Sequence, residues 1–218
     1  MKIVIDGNIG SGKTTQLGLL EQKGWQVRRE PIDEWPLEEF YKDPTRWAFL
    51  LHMTILQTLR PLKTKQHVVY ERSLLSSRWV FWPVLQKHGN VTAAEHSAYD
   101  KFYDQYAWYP DLYIFLSKDV DLAYEHVTKR GQTGDSAVTL EYMKELDAEY
   151  QKLVMKVPCK LHVVNANRSV DEIHKEICKI LSENELLFSD GLGGQVQKEG
   201  RSGRKMPCTS FTNMCRLS

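Results

Sequence analysis

The sequence predicts an α/β fold, an open parallel five-stranded sheet with helices on both faces. Three observations predict it. Short apolar runs recur five times along the chain, separated by longer stretches of helical periodicity. The first run, Lys2–Asp6, leads into Gly7-Asn8-Ile9-Gly10-Ser11-Gly12-Lys13-Thr14, which fits G-x-x-x-x-G-K-[ST], and Thr15 to Glu21 then continues as a helix. A chain of 218 residues has room for one such domain with a core that needs neither disulfide nor metal.

Strand, glycine loop and helix together make a phosphate site. Glycines let backbone N–H groups curl around phosphate oxygens, and the helix that follows points its positive end at the same anion. Lys13 can reach the outer phosphates of a nucleoside triphosphate, and Thr14 can offer its hydroxyl to magnesium. The bland reading is a glycine-rich turn that matches by chance, and the preceding strand and the Lys-Thr pair argue against it. Gly7, Asn8, Ile9, Gly10, Ser11, Gly12, Lys13, Thr14 and Thr15 are therefore the candidate triphosphate residues.

The second strand is expected over Trp25–Arg28. A helix beginning near Pro44 carries Ala48, His52, Ile55 and Leu59 on one face, at spacings of four, three and four. The third strand, His67–Tyr70, is followed by a helical stretch from Ser73 to Leu85, which Pro83 should kink or end. Thr92 to Ala107 reads as a helix rich in aromatics and acids, and Leu112–Leu116 as the fourth strand. The helix Asp119–Lys129 has Asp119 or Asp121 placed to cap it. A polar segment, Arg130–Ser136, is twice broken by glycine, at Gly131 and Gly134. A long helix from about Thr139 to Lys156, a fifth strand at Leu161–Val164 and a last helix from about Ser169 to Glu183 complete the pattern.

From Ser189 the composition changes. Five glycines alternate with Lys198, Arg201, Arg204 and Lys205, hydrophobic periodicity is lost, and such a segment buries too little apolar surface to offset its ordering entropy. The expected organisation is one domain over 1–186 and a disordered, mildly basic tail over 187–218. A net charge of +1 implies no general attraction to nucleic acid or to membranes. Cys159, Cys178, Cys208 and Cys215 are too far apart for a zinc knuckle or a redox pair, so reduced thiols are expected. No apolar run is long enough to span a bilayer, and the first strand begins almost at Met1, so a cytoplasmic protein without a leader is expected.

A phosphate loop alone does not separate a kinase from a GTPase or a motor. Glu30-Pro31-Ile32-Asp33-Glu34-Trp35 follows the second strand and Glu71-Arg72-Ser73 the third, at the edge where open parallel sheets place ligands. A carboxylate there can take a proton from an attacking hydroxyl, and an arginine can neutralise charge on a phosphoryl group in transfer. Isolated Glu-Arg pairs are common on surfaces. Their position beside a phosphate loop favours a functional reading.

With these residues the chain resembles the deoxynucleoside kinases related to deoxycytidine, deoxyguanosine and mitochondrial thymidine kinases. The resemblance is carried by Gly7 to Thr15, Glu30-Pro31 with Trp35, Tyr41-Lys42-Asp43-Pro44 with Trp47, Glu71-Arg72-Ser73-Leu74 with Ser76 and Arg78, and the polar loop at Arg130. It implies a P-loop kinase fold and transfer of the γ-phosphoryl of ATP, with Mg2+, to the 5′-hydroxyl of a deoxynucleoside. It implies Glu30 as general base, with Lys13 and Arg72 as the other catalytic groups. Arg72 steadies the 5′-oxygen and the phosphoryl, and Glu71 joins Thr14 in holding magnesium. Tyr41 and Asp135 stand where the family grips the sugar 3′-hydroxyl. Trp35 and Phe81 are implied walls of the base slot, with Leu51, His52, Ile55, Leu59 and Ser77 as its other lining. Arg130 belongs to the lid over the ATP phosphates. The resemblance further implies a homodimer, for which the helices around Trp79, Trp82 and Trp108 could supply a surface or else belong to the core.

The chain departs from the family pattern in places. His52 stands where the family has a glutamine that pairs with the base, and an imidazole cannot bond a base edge in the same paired way. A histidine on an apolar helix face is also commonly a satisfied core residue. Gln57 is not on the same face. Gln132 aligns with a second lid arginine, and Asp135 with a glutamate. Leu59 and Ser77 occupy positions where purine-accepting members place an arginine and an aspartate, so thymidine or deoxycytidine is expected above purines. Two other readings compete. A thymidylate or other nucleoside monophosphate kinase would need cations where Glu30 stands, and a non-catalytic nucleotide-binding module would tolerate loss of Glu30.

Overall fold

A computed structural model of the protein describes residues 1–131 and 135–189. Gln132, and the 190–218 part of the expected tail, lie outside the described residues. The described chain contains one sheet of five parallel strands: β1 (Lys2–Asp6), β2 (Gln26–Arg28), β3 (Val68–Glu71), β4 (Leu112–Ser117) and β5 (Lys160–Asn165). Their spatial order is β2-β3-β1-β4-β5, with Ile3 opposite Val69 on one side and Leu112 on the other. The central strands are buried nearly end to end, which is why Val68-Val69-Tyr70 and Leu112–Leu116 read as continuous apolar runs. The edge strands β2 and β5 are only partly covered and carry polar residues.

The helices are α1 (Lys13–Gln22), α2 (Leu37–Lys42), α3 (Pro44–Thr58), α4 (Leu74–Ser76), α5 (Trp82–Lys87), α6 (Ala93–Tyr106), α7 (Val120–Arg130), α8 (Leu140–Val154) and α9 (Val170–Ser189). The expected helix over Ser73–Leu85 is divided. Ser77–Phe81 forms a π-helical turn, in which the Trp82 N–H donates to the Ser77 carbonyl. Pro83 follows at once. The widened turn accommodates a ring that would clash with a regular preceding turn, and the helix continues to Lys87 instead of ending.

Caps set the other boundaries. Asp43 accepts from the Arg46 N–H and Pro44 opens α3. Thr92 and Glu95 form a reciprocal capping box on α6. Asp119, rather than Asp121, caps α7 by accepting from the N–H groups of Asp121 and Leu122. α3 ends at Thr58, so Leu59 is its C-cap and not a residue of its face. The expected α9 is extended at its C-terminal end, to Ser189.

Met1–Ile177 forms one compact unit. Its main core joins α3, α4, α5, α6 and α8 to the sheet through Leu56, Leu74, Trp82, Tyr99, Tyr113 and Tyr150, all buried. Trp82 and Trp108 are therefore core residues, which removes them from any exposed association surface. A second unit begins at Cys178, and its described residues continue α9. Among the described residues no helix is long and apolar enough to cross a membrane.

Candidate active site

The strand order places the loop after β1 between β3 and β4, so ligand-binding groups converge where the carboxyl ends of β1, β2 and β3 meet. Gly10 has φ +76°, and a Cβ there would lie 2.3 Å from the Ala123 carbonyl oxygen. Only glycine fits that turn under α7. Asn8 ties the loop to α8 by donating from Nδ2 to the Met143 carbonyl at 2.8 Å. Lys13 is buried, and its Nζ donates to the Gly7 and Asn8 carbonyls at 2.9 and 2.8 Å. Burial, then the neighbouring Arg72, lowers the Lys13 pKa to about 7.

A cleft of about 950 Å³ opens over this loop. Ile9, Gly10, Gly12, Lys13, Thr14 and Thr15 line one end, and Arg130 and Asp135 border it. Gly7, Asn8 and Ser11 build the loop from behind and do not line the cleft. Glu30, Glu71 and Arg72 stand at its middle. Trp35, Tyr41, Leu51, His52, Ile55, Leu59, Ser77 and Phe81 line the other end. The structure thus brings every residue expected for the substrate into one space with the glycine loop.

Glu30 and Arg72 form the central pair. Arg72 Nη1 donates to Glu30 Oε2 at 2.5 Å, and both side chains are nearly buried. Burial pushes the Glu30 pKa up to about 7, outweighing the opposing pull of Arg72. Arg72 is the one non-glycine residue with positive φ, 56°, among the described residues. Such a conformation is sparsely populated and persists where surrounding contacts enforce it. Those contacts are present: the Arg72 N–H donates to the Ile5 carbonyl, and Arg72 Nε donates to the Tyr150 hydroxyl at 3.2 Å. The guanidinium also lies over the Phe81 ring, 5.2 Å from its centroid.

Behind Arg72 sits a group that the sequence reading missed. Asp6 is fully buried and accepts from the Tyr113 hydroxyl at 2.6 Å, the Tyr150 hydroxyl at 2.9 Å and the Gly7 N–H at 2.7 Å. Burial, followed by the Asp6 charge, raises both tyrosine pKa values well above their usual range. The available signal was a lone carboxylate closing an apolar strand immediately before the glycine loop. Beside the glycine loop, Thr14 Oγ1 donates to Glu71 Oε1 at 2.6 Å.

The end lined by Trp35 and His52 has its own supports. Trp35 Nε1 donates to Thr58 Oγ1 at 2.9 Å, which fixes the indole against the end of α3. His52 is both things that the sequence left open, buried on the core face and lining the cleft. Its Nδ1 lies 3.1 Å from Ser77 Oγ, and burial holds its pKa down to about 3. Gln57 is exposed. Arg130 grips Asp135 through Nε at 3.0 Å and Nη2 at 2.6 Å, so the lid arginine and the carboxylate expected at the sugar are paired with one another.

The chain is similar to several known proteins. The probable deoxycytidine kinase of fowlpox virus is 28% identical over 167 residues, covering 69% of this chain and 70% of the viral protein. Deoxycytidine kinase 2 of Gallus gallus is 27% identical over 194 residues, covering 69% of this chain and 72% of its own. A solved structure of deoxyadenosine kinase from M. mycoides, with the products dCMP and a flexible dCDP bound, superposes with a TM-score of 0.77 at 26% identity. It covers 84% of this chain and 99% of the neighbour. The deoxynucleoside kinase family model matches residues 3–188. A glycine loop, an acid beyond β2, an acid-arginine pair at the end of β3 and a match along nearly all of the described residues lead to one assignment: the chain belongs to the deoxynucleoside kinase family.

Proposed function

We propose that this kinase transfers the γ-phosphoryl of ATP to the 5′-hydroxyl of a 2′-deoxynucleoside and favours pyrimidines. The carrying observation is the Glu30–Arg72 pair, held midway between the glycine loop and the Trp35–Phe81 end of one cleft. The hydroxyl oxygen attacks the γ-phosphorus, Glu30 takes its proton, and ADP departs with the bond to its β-phosphate oxygen broken. Lys13 and Arg72 neutralise the charge that gathers on the phosphoryl oxygens. Arg130 closes over the phosphates, while Tyr41 and Asp135 hold the 3′-hydroxyl. Thr14 and Glu71 offer only hard oxygen donors, which fit Mg2+ shared with the triphosphate. When bound, that ion would neutralise charge on the triphosphate.

Leu59 and Ser77 support the pyrimidine preference, because both line the slot and neither offers a charge to a purine edge. We infer a homodimer as well. Leu50 on α3 and Phe102 on α6 are exposed large apolar residues on two helices that pack together.

Steady-state kinetics with ATP and the four deoxynucleosides, with thymidine monophosphate as a fifth acceptor, test the substrate reading. The highest kcat/KM is expected for deoxycytidine or thymidine. The highest value for deoxyguanosine would overturn the base preference, and turnover of the monophosphate in place of thymidine would overturn the acceptor.

A further inference from the structure

We propose that Asp6, outside the cleft, is a positioning residue for the transfer, the fixed counter-ion that keeps Arg72 in place while Glu30 loses its charge. The inference rests on the reading of Glu30 as the group that takes the proton. Arg72 pairs with two carboxylates through different nitrogens. Nη1 donates to Glu30 Oε2 at 2.5 Å, and Nε stands 3.7 Å from Asp6 Oδ1. The Tyr150 hydroxyl bridges the second pair, accepting from Nε at 3.2 Å and donating to Asp6 Oδ1 at 2.9 Å. That order of protons is fixed at both ends. Nε has a proton and no lone pair to accept with, and a carboxylate has lone pairs and no proton.

The two carboxylates are placed for different tasks. Glu30 lines the cleft and can exchange a proton with a bound hydroxyl. Asp6 does not line it and is 0% exposed. Its oxygens are taken up by the protein itself: Oδ1 also accepts from the Gly7 N–H at 2.7 Å, and Oδ2 accepts from the Tyr113 hydroxyl at 2.6 Å. No substrate reaches Asp6, so its charge does not change during the reaction.

That constancy matters at one moment. As the new O–P bond forms and the bond to the β-phosphate oxygen breaks, the hydroxyl proton passes to Glu30, which becomes a neutral acid. Arg72 then loses one of its two anionic partners while negative charge gathers on the phosphoryl oxygens. A guanidinium tied only to Glu30 would be released there. Held at Nε by Tyr150 and Asp6, it keeps its place and leaves its Nη groups to the phosphoryl. An unpaired buried charge is costly, and Asp6 spares Arg72 that state. Because the same carboxylate holds the Gly7 N–H, it fixes the start of the glycine loop and the rear of Arg72 together.

Two variants separate this positioning role from packing alone. Tyr113→Phe takes one buried hydrogen bond from Asp6 but leaves its charge and its link to Arg72. Asp6→Asn keeps an oxygen for the Gly7 N–H and removes the charge. Both should lose stability. In Asp6→Asn kcat should fall about 100-fold with KM for ATP and for the nucleoside within about threefold, whereas Tyr113→Phe should keep kcat within about threefold. Equal losses of kcat in the two, or an unaltered kcat in Asp6→Asn, would overturn the proposal. A further measurement needs neither variant and decides the matter if Asp6→Asn does not fold. In Glu30→Gln, which copies the neutral state of the base, the Arg72 Nε–H signal should keep its protection from solvent exchange within about threefold of the unaltered chain. A larger loss of protection would overturn the proposal. A chain that phosphorylates no deoxynucleoside would refute the proposed function and leave the Nε–H comparison standing. Loss of that protection, with transfer intact in the unaltered chain, would refute the role of Asp6 alone.

Discussion

Glu30 is a carboxylate under opposed influences, and its use depends on which one prevails. Burial raises its pKa to about 7 although Arg72 donates to it at 2.5 Å. A base must be deprotonated to act, so below that value the acid form accumulates. On this account kcat/KM for the nucleoside falls about tenfold per pH unit on the acid side of neutrality. Lys13 runs in the other direction. Its lowered pKa, also about 7, means that alkaline solution strips charge from the group proposed to face the ATP phosphates, so KM for ATP should rise as pH increases above neutrality. A pH series with nucleoside and ATP varied separately distinguishes the limbs. An acid limb near the ordinary glutamate value would contradict the role given to burial. Glu30, Arg72 and the glycine loop were legible because their residue types announce their chemistry. Asp6 was not, because its partners Tyr113 and Tyr150 come from distant parts of the sequence.

At the scale of elements, α8 is what keeps Arg72 aimed. Its buried face runs Met143, Leu146, Tyr150 and Leu153, at alternating spacings of three and four, so packing on the sheet delivers the Tyr150 hydroxyl to Asp6 and Arg72 together. Tyr150→Phe should lower stability by about 1–3 kcal/mol, because Asp6 and Arg72 each lose a buried partner. It should also reduce kcat about tenfold with little change in either KM, since the guanidinium loses orientation and not its charge. Urea denaturation with steady-state kinetics checks both, and an unchanged kcat would refute the positioning role. The helices themselves were readable from caps and periodicity: Asp119, Thr92 and Pro44 start α7, α6 and α3 as their chemistry requires. The π-helical turn before Pro83 was not readable, because a proline reports that a helix is disturbed and not how the chain absorbs it. The short α2 was missed for a related reason, since six residues carry too little periodicity to register.

At the scale of the whole molecule, the parallel sheet was visible because its central strands are buried on both faces and so read as unbroken apolar runs. Their spatial order was not, since it depends on which crossover packs where; it is this order that seats Glu30, Arg72 and the glycine loop at one edge. Association belongs to this scale too. Sedimentation should give twice the 25.3 kDa chain mass, and Leu50→Glu should reduce it to a single chain; a monomer in the unaltered protein would contradict the inferred dimer. The account depends most on one carboxylate reaching an alcohol held opposite the terminal phosphate of ATP. Single-turnover transfer from labelled ATP by Glu30→Gln tests that most directly. The rate should fall at least about 100-fold while ATP affinity stays within about threefold of the unaltered protein. A transfer rate close to that of the unaltered chain would show that Glu30 takes no proton in the reaction.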